Sequence, residues 1–599
     1  MQKKENQTPQ TRERGVMRYY LRYGWMILIA FAFLSVEAIC ELQLPEYMAN
    51  MVKEGIALSN LQKIWYWGGW MLGFTIVATV CSITVGYFAS RAAASIARDM
   101  RLDCFRRVMQ FSQREYNQFE VSSLITRSTN DINQLQIFTV MFVRMVMFAP
   151  IMGIGGIVKA SRIAADGMQD LTWIIVGALA VIVALVLVLL FVVQPKFIRM
   201  QKQIDDLNRV AGEELEGMMV IRAFNTQQFE EKRFDNANVA LTRTGLFTNR
   251  AMALLMPVMT LIMNAISLAV VWIAAYQAEN VNQVANMMAF VQYAIHIVMS
   301  FMFISMIFVL LPRAAVSARR INEILHTEVT ISSPEDAKEP NGERVVGDVE
   351  FCDVAYSYGG DADAISGISF VARHGETTAI IGSTGSGKST IVSLIPRLSD
   401  VTRGSVRIDG KDVREYNLTD LRNNIGFVPQ RNVLFSGTIR SNIEYGLDSL
   451  QAANAETQPI STEDAAQIAQ ASEFIHDKQD GMDSAIAQGG TNVSGGQKQR
   501  LAIARAIAKN APIYIFDDSF SALDFRTDAA LRAEIREKLA DATVILVAQR
   551  VGTIRNADQI IVLDDGKIVG KGTHSELMRS CEVYRAIARS QMSEEELAE

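Results

Sequence analysis

Six long apolar segments constrain the fold of this chain more than any other feature of its sequence. Each is close to the ~20 residues that an α-helix needs to cross a bilayer. They lie at about 23–45, 65–89, 137–158, 172–194, 251–276 and 284–312. The buried helices of a soluble protein can produce one or two such runs but not six, so the sequence predicts a membrane domain of six helices.

The composition agrees with a membrane protein of more than one domain. The chain has 599 residues, half of them hydrophobic, and its mean hydropathy is positive. The net charge of −6 gives no sign of nucleic-acid binding. The five cysteines show neither pairing nor metal-ligand spacing, which favours a reduced compartment and small buried apolar roles. The N-terminus lacks a short apolar core with a cleavage site, so no secretory signal is expected.

The distribution of positive charge predicts the orientation of the spans. Lysine and arginine are frequent before the first span and in the two long loops that follow spans two and four, and they are sparser in the alternate loops. The positive-inside rule therefore places both ends of the chain in the cytoplasm. The long loops are helix-periodic, which predicts membrane helices that continue into the cytoplasm. Midway along them, Glu115–Phe119 and Asn225–Phe229 are candidate contacts to the next domain.

Four ionisable residues at membrane depth are candidates for a substrate cavity: Glu37, Glu41, Arg144 and His296. Charges in a bilayer are costly and usually face a cavity or a partner. Glu37 and Glu41 are one helical turn apart, so the pair could favour a cationic substrate or close an outer gate; alternatively it lies in water at the outer interface. The methionines of the sixth span could adapt to apolar ligands, or simply pack against neighbouring helices.

A polar segment with two prolines, Ser332–Arg344, predicts a linker. After it, short strands alternate with helices to the end of the chain, which indicates an α/β domain. The predicted fold class is thus an all-α six-helix transmembrane domain followed by an α/β P-loop nucleotide-binding domain. The domain plan is a cytoplasmic N-terminal segment at 1–22, the transmembrane domain at 23–328, a linker at 329–346 and the nucleotide-binding domain at 347–599.

The second domain contains a phosphate-binding loop between an apolar strand and a helix. The loop consists of Gly382, Ser383, Thr384, Gly385, Ser386, Gly387, Lys388, Ser389 and Thr390. Its glycines let backbone N–H groups approach phosphate oxygens. Lys388 can reach the β- and γ-phosphates, and the Ser389 hydroxyl can hold Mg²⁺.

Two further motifs complete a nucleotide site. A buried strand ends at Asp517, a carboxylate that can hold Mg²⁺. Upstream of it, Ser494, Gly495 and Gly496 precede an alanine-rich helix and could present N–H groups and a hydroxyl to a second phosphate surface.

With these three motifs in order after six spans, the chain resembles the ATP-binding cassette (ABC) transporters over nearly its whole length, in the layout of a half-transporter exporter of the multidrug or lipid type. The segment Val493–Gln497, VSGGQ, is the most specific element. The resemblance implies ATP and Mg²⁺ as cofactors. It also implies that two cassettes dimerise head to tail, with each ATP between the phosphate loop of one chain and the Ser494, Gly495, Gly496 and Gln497 signature of the other.

The resemblance also implies roles for individual residues. Tyr358 matches the aromatic residue that stacks on adenine, and Gln430 matches the glutamine that contacts Mg²⁺ and senses the membrane domain. The loop that crosses to the partner cassette corresponds to Ser521, Ala522, Leu523 and Asp524.

Three positions depart from the family pattern. Asp518 stands where a catalytic glutamate is expected, and its carboxylate is drawn back by roughly 1.5 Å. Gln549 replaces a histidine that contacts the γ-phosphate, and it cannot carry a positive charge. Gln488 replaces a glutamate upstream of the signature. The first two predict weak hydrolysis at the phosphate loop of this chain without loss of ATP binding.

The sequence therefore predicts an ATP-binding subunit of an exporter for amphipathic drugs, lipids or similar compounds, in the cell membrane, as one half of a heterodimer with a second half-transporter. The alternatives are a homodimeric exporter with slow ATP hydrolysis, a peptide exporter, and a nucleotide-gated channel or regulatory subunit. The six spans exclude a soluble P-loop kinase.

Overall fold

A computed structural model describes residues 15–165, 170–277, 281–334, 336, 344–359, 362–447 and 458–592. The chain divides into two compact units. The helical unit takes in the chain up to Met109 together with Val121–Thr327. The second unit consists of Gln110–Glu120 and Glu328–Glu599, so a short segment from the first half of the chain groups with the second half.

Long helices dominate the first half of the chain. Within the described residues they are α1 (Met17–Arg22), α2 (Gly24–Asn50), α3 (Leu61–Met109), α4 (Gln113–Asn117), α5 (Val121–Ser128), α6 (Asn130–Met141), α7 (Phe148–Ala165), α8 (Asp170–Val188), α9 (Gln194–Glu216), α10 (Met218–Ala223), α11 (Gln227–Gln277) and α12 (Val281–His326). Short π-helical turns follow α2, α6 and α8 at Met51–Ile56, Phe142–Val146 and Leu189–Val193.

Five helical segments of the described chain are long and apolar enough to cross a membrane. They are Gly24–Ile56, Leu61–Met109, Val121–Ala164, Gln227–Ile273 and Val281–Ile304. The fourth predicted span, 172–194, falls on α8, where Val176–Leu185 forms a shorter apolar helix. With 49 and 51 residues, α3 and α11 are each about 75 Å long at 1.5 Å per residue, so both extend well beyond the ~30 Å apolar layer of a bilayer.

Small residues allow α7 to pack closely between its neighbours. A Cβ atom on Gly155 would lie 2.2 Å from Leu42 Cδ1, and one on Gly156 would lie 3.0 Å from Ile297 Cγ1. At the same place the buried Tyr293 hydroxyl donates to the Leu42 carbonyl over 3.0 Å. Close backbone approach at small residues is the usual way in which membrane helices associate.

Two carboxylates of α3 anchor the N-terminal helix α1. The Asp103 carboxylate accepts from the Tyr19 hydroxyl at 2.7 Å and pairs with Arg18 at 2.6 Å. Asp99, which is buried, accepts from the Tyr23 hydroxyl at 2.8 Å. These bonds join the start of the described chain to the cytoplasmic end of α3.

The second unit carries twelve strands in its described residues. They are β1 (Val349–Tyr356), β2 (Ile365–Ala372), β3 (Thr377–Gly382), β4 (Arg403–Ile408), β5 (Lys411–Asp412), β6 (Ile425–Val428), β7 (Gly437–Thr438), β8 (Ala485–Ile486), β9 (Ile513–Asp517), β10 (Thr543–Val547), β11 (Gln559–Asp564) and β12 (Lys567–Gly572). The helices that alternate with them are α13 (Lys388–Leu394), α14 (Leu418–Asn423), α15 (Ile439–Ile443), α16 (Thr462–Ile468), α17 (Ser472–His476), α18 (Gly495–Ala508), α19 (Phe525–Lys538), α20 (Val551–Ile554), α21 (His574–Ser580) and α22 (Glu582–Gln591).

The strands form a central six-stranded sheet in the order β12-β11-β3-β10-β9-β6, and an antiparallel sheet in the order β2-β1-β4-β5. From β11 to β6 the central sheet is parallel. All five residues of β9 and all five of β10 are buried, as expected for strands covered on both faces. The predicted class, a helical membrane domain followed by an α/β domain, is confirmed.

The cysteines and the predicted linker differ in how far the structure describes them as expected. Cys40, Cys81, Cys104 and Cys581 are buried as predicted, but Cys352 is only half-buried, because β1 lies in the antiparallel sheet and turns this residue away from its covered face. Most of the predicted linker, at 335 and 337–343, lies outside the described residues.

The anchoring of α1 gives a stability prediction. The substitution Asp99→Ala removes the acceptor of the half-buried Tyr23 side chain and the partner of Arg22 and Arg98, so we expect a loss of about 1–3 kcal/mol in the free energy of unfolding and a lower thermal midpoint of the purified protein. Asp235→Ala, the same change at an exposed position of α11, is the control. Equal midpoints for the two variants would contradict the role of Asp99.

Candidate nucleotide site

Three loops of the second unit leave the central sheet at one edge. Strand β10 lies between β3 and β9, and Val547 pairs with Ile380 on one side and with Asp517 on the other. Since the three strands are parallel, their carboxyl ends meet there, which is where ligands bind in open α/β sheets. The phosphate loop after β3, Asp518 after β9 and Gln549 after β10 are brought together by this topology.

The phosphate loop requires glycine at specific positions. Gly385 and Gly387 have φ of +86° and +94°, which are strained for any residue with a side chain. A Cβ atom on Gly382 would lie 2.2 Å from the Leu563 carbonyl oxygen. The Ser386 hydroxyl is buried and has no hydrogen-bond partner, whereas Ser383, Thr384 and Gly385 are exposed. An orphaned donor in a loop of exposed backbone fits a phosphate ligand.

Charged side chains converge on this loop. Lys388 Nζ donates to the carbonyls of Gly382 and Ser383 at 2.8 and 2.7 Å. Burial lowers the pKa of Lys388, although Asp518 and Asp517 act in the opposite direction. The lysine begins α13, so it lies at the N-terminus of a helix, where anions are favoured.

Ser389 and Asp517 fit a magnesium ion. The Ser389 hydroxyl donates to Asp517 Oδ1 over 3.0 Å, which places two oxygen ligands side by side. Burial raises the pKa of Asp517, the Ser389 hydrogen bond lowers it, and neighbouring Asp518 raises it further. Mg²⁺ in phosphate-binding sites usually takes one or two such protein oxygens together with phosphate oxygens and water. Bound there, the ion would neutralise phosphate charge.

Asp518 and Gln549 are in direct contact. Gln549 Nε2 donates to Asp518 Oδ2 over 2.8 Å. Asp518 has φ of +48°, in the left-handed region. Burial raises the pKa of Asp518, and hydrogen bonds from Gln430 and Gln549 partly offset that effect. The structure thus joins two of the three residues that depart from the family pattern, and Gln430 lies with them.

Tyr358 lies at the other end of the phosphate loop. Its hydroxyl is hydrogen-bonded to Thr390 Oγ1 at 2.9 Å, and its ring meets Tyr356 edge to face at 4.9 Å. The side chain is 61% exposed, so a ring face is open to a flat ligand such as adenine.

The signature residues lie at the N-terminus of α18. Ser494 caps α18 and forms a capping box with Gln497, and Gly495 is exposed beside it. A Cβ atom on Gly496 would lie 3.2 Å from the Ala522 carbonyl oxygen. The signature therefore packs on the loop Ser521–Asp524 and presents an open helix N-terminus.

The sequence did not single out Gln499, which connects these elements. It is 4% exposed, its Nε2 donates to the Asp518 carbonyl at 3.4 Å, and its Oε1 accepts from Ala522 N–H at 3.2 Å. Ser521 Oγ also donates to the Asp518 carbonyl, at 3.1 Å. A polar residue on the apolar face of an amphipathic helix was the signal that could have revealed it.

The candidate cavity residues lie in three membrane helices. Glu37 and Glu41 are on α2, Arg144 is in the π-helical turn after α6, and His296 is on α12. Glu37 is hydrogen-bonded to Ser82 and lies within electrostatic range of Arg144. Within the described residues, no hydrogen bond joins His296 to either carboxylate.

Family models match both halves of the chain. The model of the ABC transporter transmembrane region matches residues 27–301, and the model described as ABC transporter matches residues 365–521. An uncharacterised ABC transporter ATP-binding protein of Mycobacterium tuberculosis is 40% identical over 580 residues, which cover 96% of this chain and 98% of the relative. The chain belongs to the ABC transporter family.

The chain is also similar to a named flippase and to a solved exporter structure. The ATP-dependent lipid A-core flippase of Hahella chejuensis is 30% identical over 531 residues, 88% of each chain. The structure of a bacterial Atm1-family ABC exporter with ATP bound superposes with a TM-score of 0.75 at 23% identity, and it covers 96% of this chain and 99% of that one, which shows the fold. This chain is therefore a multi-pass membrane ABC transporter with a cytoplasmic nucleotide-binding domain, and half-transporters of this family work as dimers.

The bridge made by Gln499 can be tested in this ABC transporter. The near-isosteric change Gln499→Met removes both hydrogen bonds and loosens the loop Ser521–Asp524, so we expect ATP turnover to fall about fivefold to tenfold while ATP affinity is kept. Turnover and fluorescent-nucleotide binding on the purified transporter measure this. Gln467→Met, on the exposed face of α16, is the matched control, and equal turnover in both variants would refute the role of the bridge.

Proposed function

We propose that this chain is the half of a heterodimeric exporter that carries the degenerate ATP site. It binds ATP and Mg²⁺ through Lys388, Ser389 and Asp517 but hydrolyses that nucleotide poorly. Its signature at Ser494–Gln497 completes a competent site on the phosphate loop of a different half-transporter.

The observation that carries this proposal is the contact between Gln549 and Asp518 at 2.8 Å. A glutamate would reach roughly 1.5 Å further toward an attacking water, and displacement of a catalytic group by about 1 Å can cost on the order of 10²-fold in rate. The amide of Gln549 also occupies one carboxylate oxygen and brings no positive charge to a γ-phosphate. The shorter carboxylate of Asp518 and the uncharged amide of Gln549 both weaken the attack of water on the γ-phosphate.

The intact signature supports the second part of the proposal. Ser494 keeps its helix cap, and Gly496 keeps the close approach to Ala522 that a side chain would disturb. The machinery that this chain offers to a partner is therefore complete, whereas the machinery that it offers to its own nucleotide is not. A degenerate site that holds ATP can keep two cassettes together while the other site turns over.

We further propose that the transported compounds are amphipathic drugs or lipids. The apolar spans and the methionines of α12 support this class, and so does the similarity to a protein named as a lipid A-core flippase. Glu37, Glu41, Arg144 and His296 are the candidate cavity residues.

Restoring the expected residues tests the degenerate site. In the protein expressed alone, we expect slow ATP hydrolysis, and the paired change Asp518→Glu with Gln549→His should raise turnover on the order of 10²-fold. Each single change should give less. Fast turnover of the unmodified chain alone would overturn the proposal in favour of an active homodimer.

The two roles of the chain can be separated in the assembled heterodimer. Gly495→Asp, which blocks the helix N-terminus offered to the partner, should abolish most ATP turnover, whereas Lys388→Ala should spare most of it. A homodimer predicts equal losses, because each change would then affect both sites.

The same preparations distinguish a channel from an exporter. Uptake of a fluorescent amphiphile into inverted vesicles that stops with Gly495→Asp supports coupled export. Ion flux across a planar bilayer that needs ATP binding but persists in that variant would instead support a nucleotide-gated channel.

A further inference from the structure

The last helix of the described chain, α22, holds the turn that carries Gln549. Gln591 Nε2 donates to the Gln549 carbonyl at 2.8 Å, and Gln591 Oε1 accepts from the Val551 backbone N–H at 2.8 Å. The two ends of one side-chain amide thus bind the backbone on both sides of Arg550. The contacts span 42 and 40 positions of the chain, so they depend on the tertiary fold.

The Val551 N–H needs an acceptor from elsewhere because the start of α20 supplies none. The first N–H groups of a helix have no partner within that helix, and a side-chain oxygen at the preceding residue often accepts from one of them. Here the preceding residue is Arg550, which makes no such hydrogen bond and whose guanidinium has no acceptor. Gln591 therefore caps α20 from a different helix, and it fixes the backbone where the turn ends.

Helix α22 is itself packed on the core of the ATPase unit. Its residues Tyr584 and Ala588 are fully buried, and the Tyr584 hydroxyl is hydrogen-bonded to His574 Nδ1 at 2.7 Å. Ala588 is four positions after Tyr584, and Gln591 is three positions after Ala588, so the three share one face of the helix. The buried part of that face therefore directs Gln591 toward the turn.

The position of this turn decides how Gln549 meets Asp518. The Ala548 backbone N–H donates to the Ile380 carbonyl at 3.2 Å, so the central sheet fixes the chain just before Gln549. Gln591 fixes it just after. Between these two points the Gln549 side chain donates to Asp518 Oδ2 over 2.8 Å. Without Gln591 the turn is held at one end only, and the contact with Asp518 loses its fixed geometry.

We propose that Gln591 is a positioning residue for ATP hydrolysis at the phosphate loop of its own chain. It holds the backbone around Gln549 and thereby sets the carboxylate of Asp518 beside the attacking water. Within the part of the chain that the structure describes, no hydrogen bond joins Gln591 to the phosphate loop, so ATP binding through Lys388 does not depend on it. The inference rests on the proposed function only in taking Asp518 and Gln549 as residues of the hydrolytic step.

The first measurement needs no nucleotide. Gln591→Leu removes both hydrogen bonds with little change of size, so hydrogen–deuterium exchange of the Val551 amide should become on the order of tenfold faster in the full-length transporter. Mass spectrometry of the peptide that contains 549–551 measures this. Gln467→Leu, on the exposed face of α16, is the matched control and should leave the exchange unchanged. Equal exchange in the two variants would show that Gln591 does not hold the turn, and the proposal would fall.

The second measurement separates hydrolysis from binding. The full chain is expressed alone, both unmodified and with Asp518→Glu and Gln549→His, so that every site is built on its own phosphate loop. Because Gln591 binds backbone atoms, it holds either side chain at position 549. In both backgrounds Gln591→Leu should lower the single-turnover rate constant for radiolabelled ATP about fivefold and leave the affinity for a fluorescent ATP analogue unchanged. A change that merely loosened the fold would lower both.

A double-mutant cycle shows whether Gln591 acts through the residue at position 549. With Gln549→Ala in either background, the side chain that Gln591 positions is gone, so adding Gln591→Leu should lower the rate constant no further. The proposal is overturned if Gln591→Leu keeps its full effect beside Gln549→Ala. It is also overturned if Gln591→Leu hydrolyses ATP as fast as Gln467→Leu, or if its affinity for nucleotide falls as much as its rate.

Failure of this inference and failure of the proposed function give different results. Fast hydrolysis by the unmodified chain alone would overturn the degenerate site, and a fivefold loss with Gln591→Leu in that chain would still support the role of Gln591. Conversely, a rate that rises with Asp518→Glu and Gln549→His but does not respond to Gln591→Leu would overturn this inference and leave the degenerate site supported.

Discussion

The parallel pairing of β10 between β3 and β9 is the constraint on which the nucleotide site depends. It sets the carboxyl ends of three strands at one edge, so residues 31 and 128 positions apart in the chain become neighbours. Ser389 and Asp517 meet over 3.0 Å for this reason, as do Asp518 and Gln549 over 2.8 Å. If β3, β10 and β9 were not neighbours in the sheet, the loops that follow them would not bring these side chains together.

Asp518 and Gln549, which differ from the residues expected in the family, meet at this same edge of the sheet. Asp518 and Gln549 follow adjacent strands, and the amide of one occupies the carboxylate of the other. In the proposed function their effects on an attacking water are therefore coupled, whereas Lys388 and Ser389 lie in the glycine loop and Ser389 contacts Asp517. In that proposed function, binding of the nucleotide and its hydrolysis depend on different residues, and hydrolysis can weaken while binding is retained.

Much of this organisation is readable from local patterns. The predicted spans follow from segment length and hydropathy, and five of them fall on helices long enough to cross a membrane. The phosphate loop follows from glycines at positions where a Cβ atom would collide, as at Gly382. The attachment of α4 was anticipated only as a candidate contact at Glu115–Phe119. Thr330, whose hydroxyl donates to Glu115, is 215 positions away, and the bridging role of Gln499 depends on a loop that no local pattern places beside it.

The sequence by itself determined the elements of this protein, because hydropathy, helix caps and glycine requirements act over a few residues. It therefore specified the membrane helices, the ATP-binding loop and the family. Only the tertiary structure decided which elements share a unit. The hydrogen bonds of Thr330 to Glu115 and of Gln591 to Gln549 join segments distant in the chain, and such pairings follow from the packing of the whole fold. The first of them holds α4, a helix from the first half of the chain, within the ATPase unit.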